Sequence, residues 1–164
     1  MANAEPVFLG LGSNVDAERK LADGAAALRH RFGPIECSPV YRSEAVGFDG
    51  DDFLNACCRI DTDLEPEALK AWLTELEDDY GRRRDQPRFS DRTLDIDILL
   101  FGDRVGRFGD LELPRDEVLK YAHVLKPLAD LAGGVCHPLT GRTFDEHWQA
   151  FDGDRSLQAT GQIL

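Results

Sequence analysis

The sequence predicts an α+β domain with a mainly antiparallel sheet flanked by helices. Segments whose apolar residues alternate in twos take turns with segments carrying apolar stripes at helical spacing. The connections between them are short and mostly compatible with hairpins. At 164 residues the chain is one domain by size, long enough to bury about two thirds of its surface in a single core. The expected domain spans residues 1–164, with its core at about 7–151.

Val7 to Leu11, VFLGL, reads as the first strand and runs into Gly12-Ser13-Asn14. Gly10-Leu11-Gly12 invites comparison with a dinucleotide fingerprint, but the sixth position is Val15 and no G-K-[ST] occurs anywhere, so neither glycine-rich phosphate loop is present. Asn14 or Asp16 is placed to cap a helix from about Ala17 to Phe32. That helix carries Leu21, Ala25, Leu28 and Phe32 on one face, and Gly33-Pro34 stops it. Ile35 to Arg42 alternates as a second strand, with Ile35, Cys37, Pro39 and Tyr41 against Glu36, Ser38, Val40 and Arg42. Ser43 to Asp52 is then a loop of a length that is usually functional or disordered, the plainer reading being a flexible connector.

Phe53 to Thr62, FLNACCRIDT, is the third strand, and Phe53 and Asn55 point the same way. The Asn55 amide offers a donor and an acceptor together, although an Asn in a strand also serves purely local hydrogen bonding. Pro66 sits near the first turn of a helix running to about Tyr80, with Leu69, Leu73, Leu76 and Tyr80 as its stripe and Gly81 as its end.

Gly81 to Gly102 reads GRRRDQPRFSDRTLDIDILLFG. Its first half packs Arg82, Arg83, Arg84, Arg88 and Arg92 into eleven residues of a chain whose formal net charge is -12. Its second half, Thr93 to Phe101, alternates as a strand, so Leu94, Ile96 and Ile98 share one face and Asp95 and Asp97 the other, roughly 6 to 7 Å apart. Taken alone, that carboxylate pair reads as the solvated face of a half-buried strand. Beside an arginine cluster it reads differently. Arginine forks bind phosphate oxygens bidentately, and Mg²⁺ takes one or two protein carboxylates and fills its other positions with water and phosphates. Together they suit a Mg²⁺-polyphosphate ligand; a nucleic-acid patch or a set of surface ion pairs is the competing reading.

After a Gly-Asp turn, Leu111 and Leu113 suggest a short return strand, and LPRDEVLKYAHVLKPLADLA one or two short helices. His137-Pro138 and a helix at about Phe144 to Phe151 look structural, and the tail from Gly153 is expected to be loose. Cys37, Cys57, Cys58 and Cys136 form no C-x-x-C pair, so all four are expected to serve packing. The acidic balance argues against nucleic-acid and anionic-membrane binding. No apolar run reaches membrane-spanning length, and the start MANAEPVFLGLGSN lacks a secretory pattern. A cytoplasmic monomer is the expectation.

The stretch GRRRDQPRFSDRTLDIDILLFG resembles the signature of the 6-hydroxymethyl-7,8-dihydropterin pyrophosphokinase family, an arginine-rich loop followed by R-T-L/I-D-L/I-D. L-G-S-N at Leu11 to Asn14 resembles the family's recurrent opening, and the resemblance covers roughly residues 7 to 140. It implies a ferredoxin-like core and transfer of pyrophosphate from ATP, as co-substrate, to the hydroxymethyl group of a dihydropterin in folate biosynthesis, releasing AMP. It further implies two Mg²⁺ ions on Asp95 and Asp97, which with Arg82 and Arg92 form the catalytic set. Toward ATP it implies Glu77, Arg82, Arg84, Arg88, Arg92, Ile98, Arg115 and Tyr121; for Glu77 the alternative is an ion pair with Arg82 or Arg84. Toward the pterin it implies Ser43, Ala45 and Val46 in the loop, Phe53 and Asn55 on the third strand, and Phe89, Asp95 and His123.

The chain departs from the family pattern L-x-x-P-H followed by R-x-F-V-L-x-P-L. Pro114, Val124, Leu125, Pro127 and Leu128 fit, but Arg115 replaces the histidine, Tyr121 the arginine and His123 the phenylalanine. In the family that histidine and arginine touch the triphosphate, and the phenylalanine stacks on the pterin opposite the counterpart of Phe89. Arg115 can restore a cationic contact and His123 can stack as a flat ring, whereas Tyr121 carries no guanidinium charge. The alternative is a catalytically weakened paralogue that binds pterin or nucleotide in a regulatory role.

Overall fold

Alternation along three strands decides the layering. In the computed structural model, which describes residues 4–44, 52–80 and 94–164, β1 (Glu5–Ser13) is paired antiparallel with β4 (Phe53–Thr62) on one edge and β5 (Asp95–Phe101) on the other. Val7, Leu9 and Leu11 of β1 are buried together with Leu54, Ala56, Cys58 and Ile60 of β4 and Leu94, Ile96 and Ile98 at β5. Over this face lie α1 (Ala17–Phe32), through Leu21 and Leu28, and α2 (Pro66–Asp79), through Leu69, Leu73 and Leu76. Alternate residues of the same strands build the second core. There Phe8, Cys57, Leu99 and Leu100 pack on Leu125, Leu128 and Ala129 of α3 (Ala122–Ala132), with Phe144 of α4 (Phe144–Ala150) alongside.

The second predicted strand is two short pieces, β2 (Glu36–Cys37) and β3 (Tyr41–Ser43), both paired with β4. The break falls at Ser38-Pro39. Proline has no N–H to give to a ladder, and the Ser38 hydroxyl accepts from Cys57 N at 2.9 Å in place of a regular strand contact. Val40 is therefore fully buried while Tyr41 stays half-buried, against the alternation expected for Ile35 to Arg42. The sheet order β5-β1-β4-β3 with two helical crossovers is the ferredoxin-like split arrangement that the resemblance implied.

Three further differences follow from local chemistry. Asp16 is the N-cap of α1 but sits at φ 52 and makes no capping bond; its carboxylate pairs with Arg19 at 2.9 Å instead. The return strand at Leu111 is half of a separate hairpin, β6 (Gly106–Phe108) with β7 (Leu111–Leu113), followed by a short 3-10 turn, Asp116–Leu119. The tail from Gly153 docks where it was expected to be loose. β8 (Gln158–Ala159) pairs with β3, Thr160 N donates to Val40 O at 3.0 Å, and Gln162 Nε2 donates to Glu18 O at 2.8 Å.

The two neighbouring cysteines on β4 face opposite cores as their adjacency requires, Cys58 toward α1 and Cys57 toward α3. His137 is structural as expected. It is buried, and its Nδ1 accepts from Leu139 N at 3.1 Å.

Candidate active site

Register brings the polar groups of three strands into one row. Gly12 of β1 lies opposite Asn55 of β4 on one side and Asp95 of β5 on the other; two residues earlier, Gly10 lies between Cys57 and Asp97. All of these face the α3 side, because they alternate with the residues buried under α1 and α2. Neighbouring strands are about 4.8 Å apart, so the Asn55 and Asp95 backbones flank a floor roughly 10 Å wide with no side chain at its centre. A Cβ on Gly12 would stand 3.2 Å from Asn55 Oδ1, and one on Gly10 would stand 3.3 Å from Leu99. Glycine inside a strand commonly marks such a cleared approach. Of the two glycines that fail as a dinucleotide fingerprint, Gly12 thus clears the floor of this trough and Gly10 makes room for the Leu99 side chain, roles readable only once the strands are in register.

The Asn55 wall is tightly held. Asn55 is 8% exposed, and its Nδ2 donates to Ser43 Oγ at 2.8 Å, which leaves Oδ1 on the Gly12 side. Phe53, two residues back on the same face, is half-buried. Tyr41 lies opposite Asn55 on β3 and donates its hydroxyl to Asp130 of α3. Burial, with the Asp130 carboxylate adding to it, pushes the Tyr41 pKa up to about 12, so this tie between α3 and the sheet persists through neutral pH.

The carboxylate wall carries a cation. The β1–β5 register shifts between Phe8 and Leu9, leaving Leu99 as the extra residue of a bulge, and Arg115 N donates to Leu99 O at 3.0 Å. Bulges often re-aim groups beside active sites. From there Arg115 Nη2 lies 3.0 Å from Glu117 Oε1 and 3.8 Å from Asp97 Oδ1. Burial alone would lower the Arg115 pKa, but the carboxylates of Asp97, Glu117 and Asp116 outweigh it and raise it, so the guanidinium stays charged. Among the described residues its buried Nε has no hydrogen-bond partner. Glu117 was not singled out in the sequence, since its place is set by a 3-10 turn that no periodicity announces.

His123, in the first turn of α3, closes the same end. Burial holds its pKa below the ordinary imidazole value against the pull of Glu117 and Asp97, so its ring is neutral near pH 7. It stacks on Tyr121 with ring centroids 5.3 Å apart and planes 23° apart. The structure therefore joins Asp95, Asp97, Arg115, Tyr121 and His123 on one side and Ser43, Phe53 and Asn55 on the other.

Two residues expected toward the nucleotide have buried side chains. Glu77 is 2% exposed and its Oε2 accepts from Ile96 N at 3.0 Å. It pins the outer edge of β5 to α2, because Ile96 N–H points away from β1 and needs an acceptor once buried. The Ile98 side chain is sealed in the α1–α2 core, which leaves only its main chain available to a ligand. Ala45, Val46, Arg82, Arg84, Arg88, Phe89 and Arg92 lie outside the described residues.

The donor set fits a Mg²⁺ ion that keeps most of its ligands from water and phosphate. Two half-buried carboxylates share one strand face, and no group of three or more His, Cys, Asp or Glu suited to a metal occurs among the described residues. No helix among them is long and apolar enough to cross a membrane.

Comparison with known proteins shows the family. Residues 8–133 match the family described as 7,8-dihydro-6-hydroxymethylpterin-pyrophosphokinase (HPPK). The chain is 38% identical over 130 residues to the 2-amino-4-hydroxy-6-hydroxymethyldihydropteridine pyrophosphokinase of Pseudomonas aeruginosa, covering 77% of this chain and 80% of that one. It is 32% identical to the folic acid synthesis protein fol1 of Pneumocystis carinii over 88% of this chain, but spans only 20% of that longer protein. Among solved structures, Plasmodium falciparum HPPK-DHPS with pterin and p-hydroxybenzoate superposes with a TM-score of 0.72 at 13% identity, over 92% of this chain and 44% of that one. That last likeness concerns the fold.

Proposed function

The chain belongs to the 7,8-dihydro-6-hydroxymethylpterin-pyrophosphokinase family, and on that premise we propose that the trough over Gly12 is where ATP and a hydroxymethyldihydropterin meet. The reaction is transfer of a pyrophosphoryl group from ATP to the hydroxymethyl oxygen of the dihydropterin in folate synthesis. AMP is the leaving group. The observation that carries the reading is the row Asn55, Gly12, Asp95 across three strands, with Asp97 and Arg115 beside it.

On the Asn55 side, the amide reads the lactam and amino edge of the pterin, with its orientation set by Ser43. Phe53, Phe89 and the neutral ring of His123 supply flat apolar cover. On the other side, Asp95 and Asp97 would hold two Mg²⁺ ions, which would supply neutralisation of the phosphate charge. Arg82, Arg84, Arg88 and Arg92 orient the triphosphate, and Arg115 adds a fixed cation beside Asp97. Tyr121 offers a hydroxyl where the family pattern has a guanidinium. Ala45 and Val46 are assigned to the pterin by the resemblance alone. Such transfer depends on positioning and charge stabilisation more than on covalent help from the protein.

The reading takes residues 1–164 as a single pyrophosphokinase domain, a cytoplasmic monomer that meets small molecules and not nucleic acid, in keeping with a net charge of -12. It is tested by AMP formation from ATP, Mg²⁺ and 6-hydroxymethyl-7,8-dihydropterin. AMP that depends on the pterin is the expected result. Pterin binding by calorimetry without AMP would replace this reading with that of a binding paralogue.

A further inference from the structure

Cys37 and Cys58 take no part in that chemistry, yet the fold brings them together from 21 residues apart. They are direct partners across the β2–β4 ladder, and their sulfurs lie 2.9 Å apart with both thiols free. The next pair along is the hydrogen-bonded one, since Ser38 N donates to Cys57 O at 2.8 Å. Cys37 and Cys58 therefore occupy a non-hydrogen-bonded position, where facing Cα atoms are about 4.5 Å apart. That spacing lies within the range a disulfide bridges. Cys58 is fully buried while Cys37 is half-buried at the sheet margin, so an oxidant has one way in.

We propose that Cys37 and Cys58 are an oxidisable dithiol, closed to a disulfide by hydrogen peroxide and reopened by thiols, which staples β2 to β4. The Cys37 thiolate attacks one peroxide oxygen and the O–O bond breaks, giving a sulfenic acid at Cys37 and, with a proton, water. The Cys58 sulfur then displaces the hydroxyl from Cys37, loses its proton and releases a second water. The two thiols surrender two electrons to one peroxide. Cys37 suits the attacking role, because the hydrogen bond from Cys58 lowers its pKa against the effect of burial, with Arg29 adding a favourable charge, whereas the pKa of Cys58 is raised. The span it would close includes β3 with Ser43, and Asn55 lies three residues from Cys58 on β4.

The test treats the full-length reduced protein with hydrogen peroxide, alkylates the remaining thiols and maps peptides by mass spectrometry. A Cys37–Cys58 linked peptide, reversed by dithiothreitol and accompanied by a rise of roughly 5–10 °C in Tm, is expected. The Cys37→Ser variant, altered only at the half-buried position so that the core survives, should fold and show neither the link nor the rise. Sulfinic acid at Cys37 with no linked peptide would overturn the proposal, as would linkage through Cys136 or a link with unchanged Tm.

Discussion

The two faces of one sheet are made by alternate residues of the same strands, and they do opposite things. Under α1 and α2 the odd positions of β1 (Val7, Leu9, Leu11) meet the leucines of both helices in a filled core. Under α3 the even positions run Phe8, Gly10, Gly12, so β1 offers no side chain after Phe8: Leu99 packs against Gly10, and the floor is left bare at Gly12, between Asn55 and Asp95. Substitution on the filled face should therefore cost stability, and substitution on the open face should cost activity.

Four outcomes would break or sharpen that contrast. The largest effect is expected at Asp97→Asn, which removes a charge from the open face; AMP formation should fall about 10²–10³-fold while Tm stays within a few degrees. Leu9→Ala on the filled face should lose about 2–5 kcal/mol in a denaturant titration, with kcat of the folded fraction unchanged. Arg115→Met should lower kcat/KM about 10–100-fold by removing a charged contact, and Arg115→Lys should recover only part of it because the planar fork is missing. A full recovery by lysine would mean that charge alone matters there.

The smallest effect concerns pH. Burial depresses His123, His137 and His147 below the ordinary imidazole value. The unfolded chain therefore binds more protons than the folded one as pH falls through about 6.5. Stability should be flat above that value and decline below it. His123→Phe should make the decline shallower in Tm measured from pH 5 to 8; an unchanged slope would remove His123 from the account.

Much of this contrast is legible in the residues themselves. The alternation around Asp95 and Asp97 fixes which face they occupy, and FLNACCRIDT places Asn55 opposite to Leu54 and Ala56, because both readings need only the period of a strand. What was not legible depends on partners distant in sequence. Gly12 becomes a floor only when β4 and β5 flank β1 in this register, and Glu77 becomes a pin for β5 only when α2 crosses its edge. Arg115 gains its place from a bulge at Leu99. The break at Ser38-Pro39 was foreshadowed by the proline, but the hydroxyl bond to Cys57 N that accompanies it was not. The docked tail is not legible, because polar composition says nothing of the open β3 edge to which β8 pairs.

The sharpest single measurement is calorimetric titration of 6-hydroxymethyl-7,8-dihydropterin into the Gly12→Val variant. Valine suits a strand, so the variant should fold with a small loss in Tm as Asn55 Oδ1 gives way to the new Cβ, while its branches fill the floor. Loss of pterin affinity by tenfold or more in a folded variant is the expected result. Affinity equal to that of the unaltered protein would place the pterin elsewhere and contradict the trough as its site.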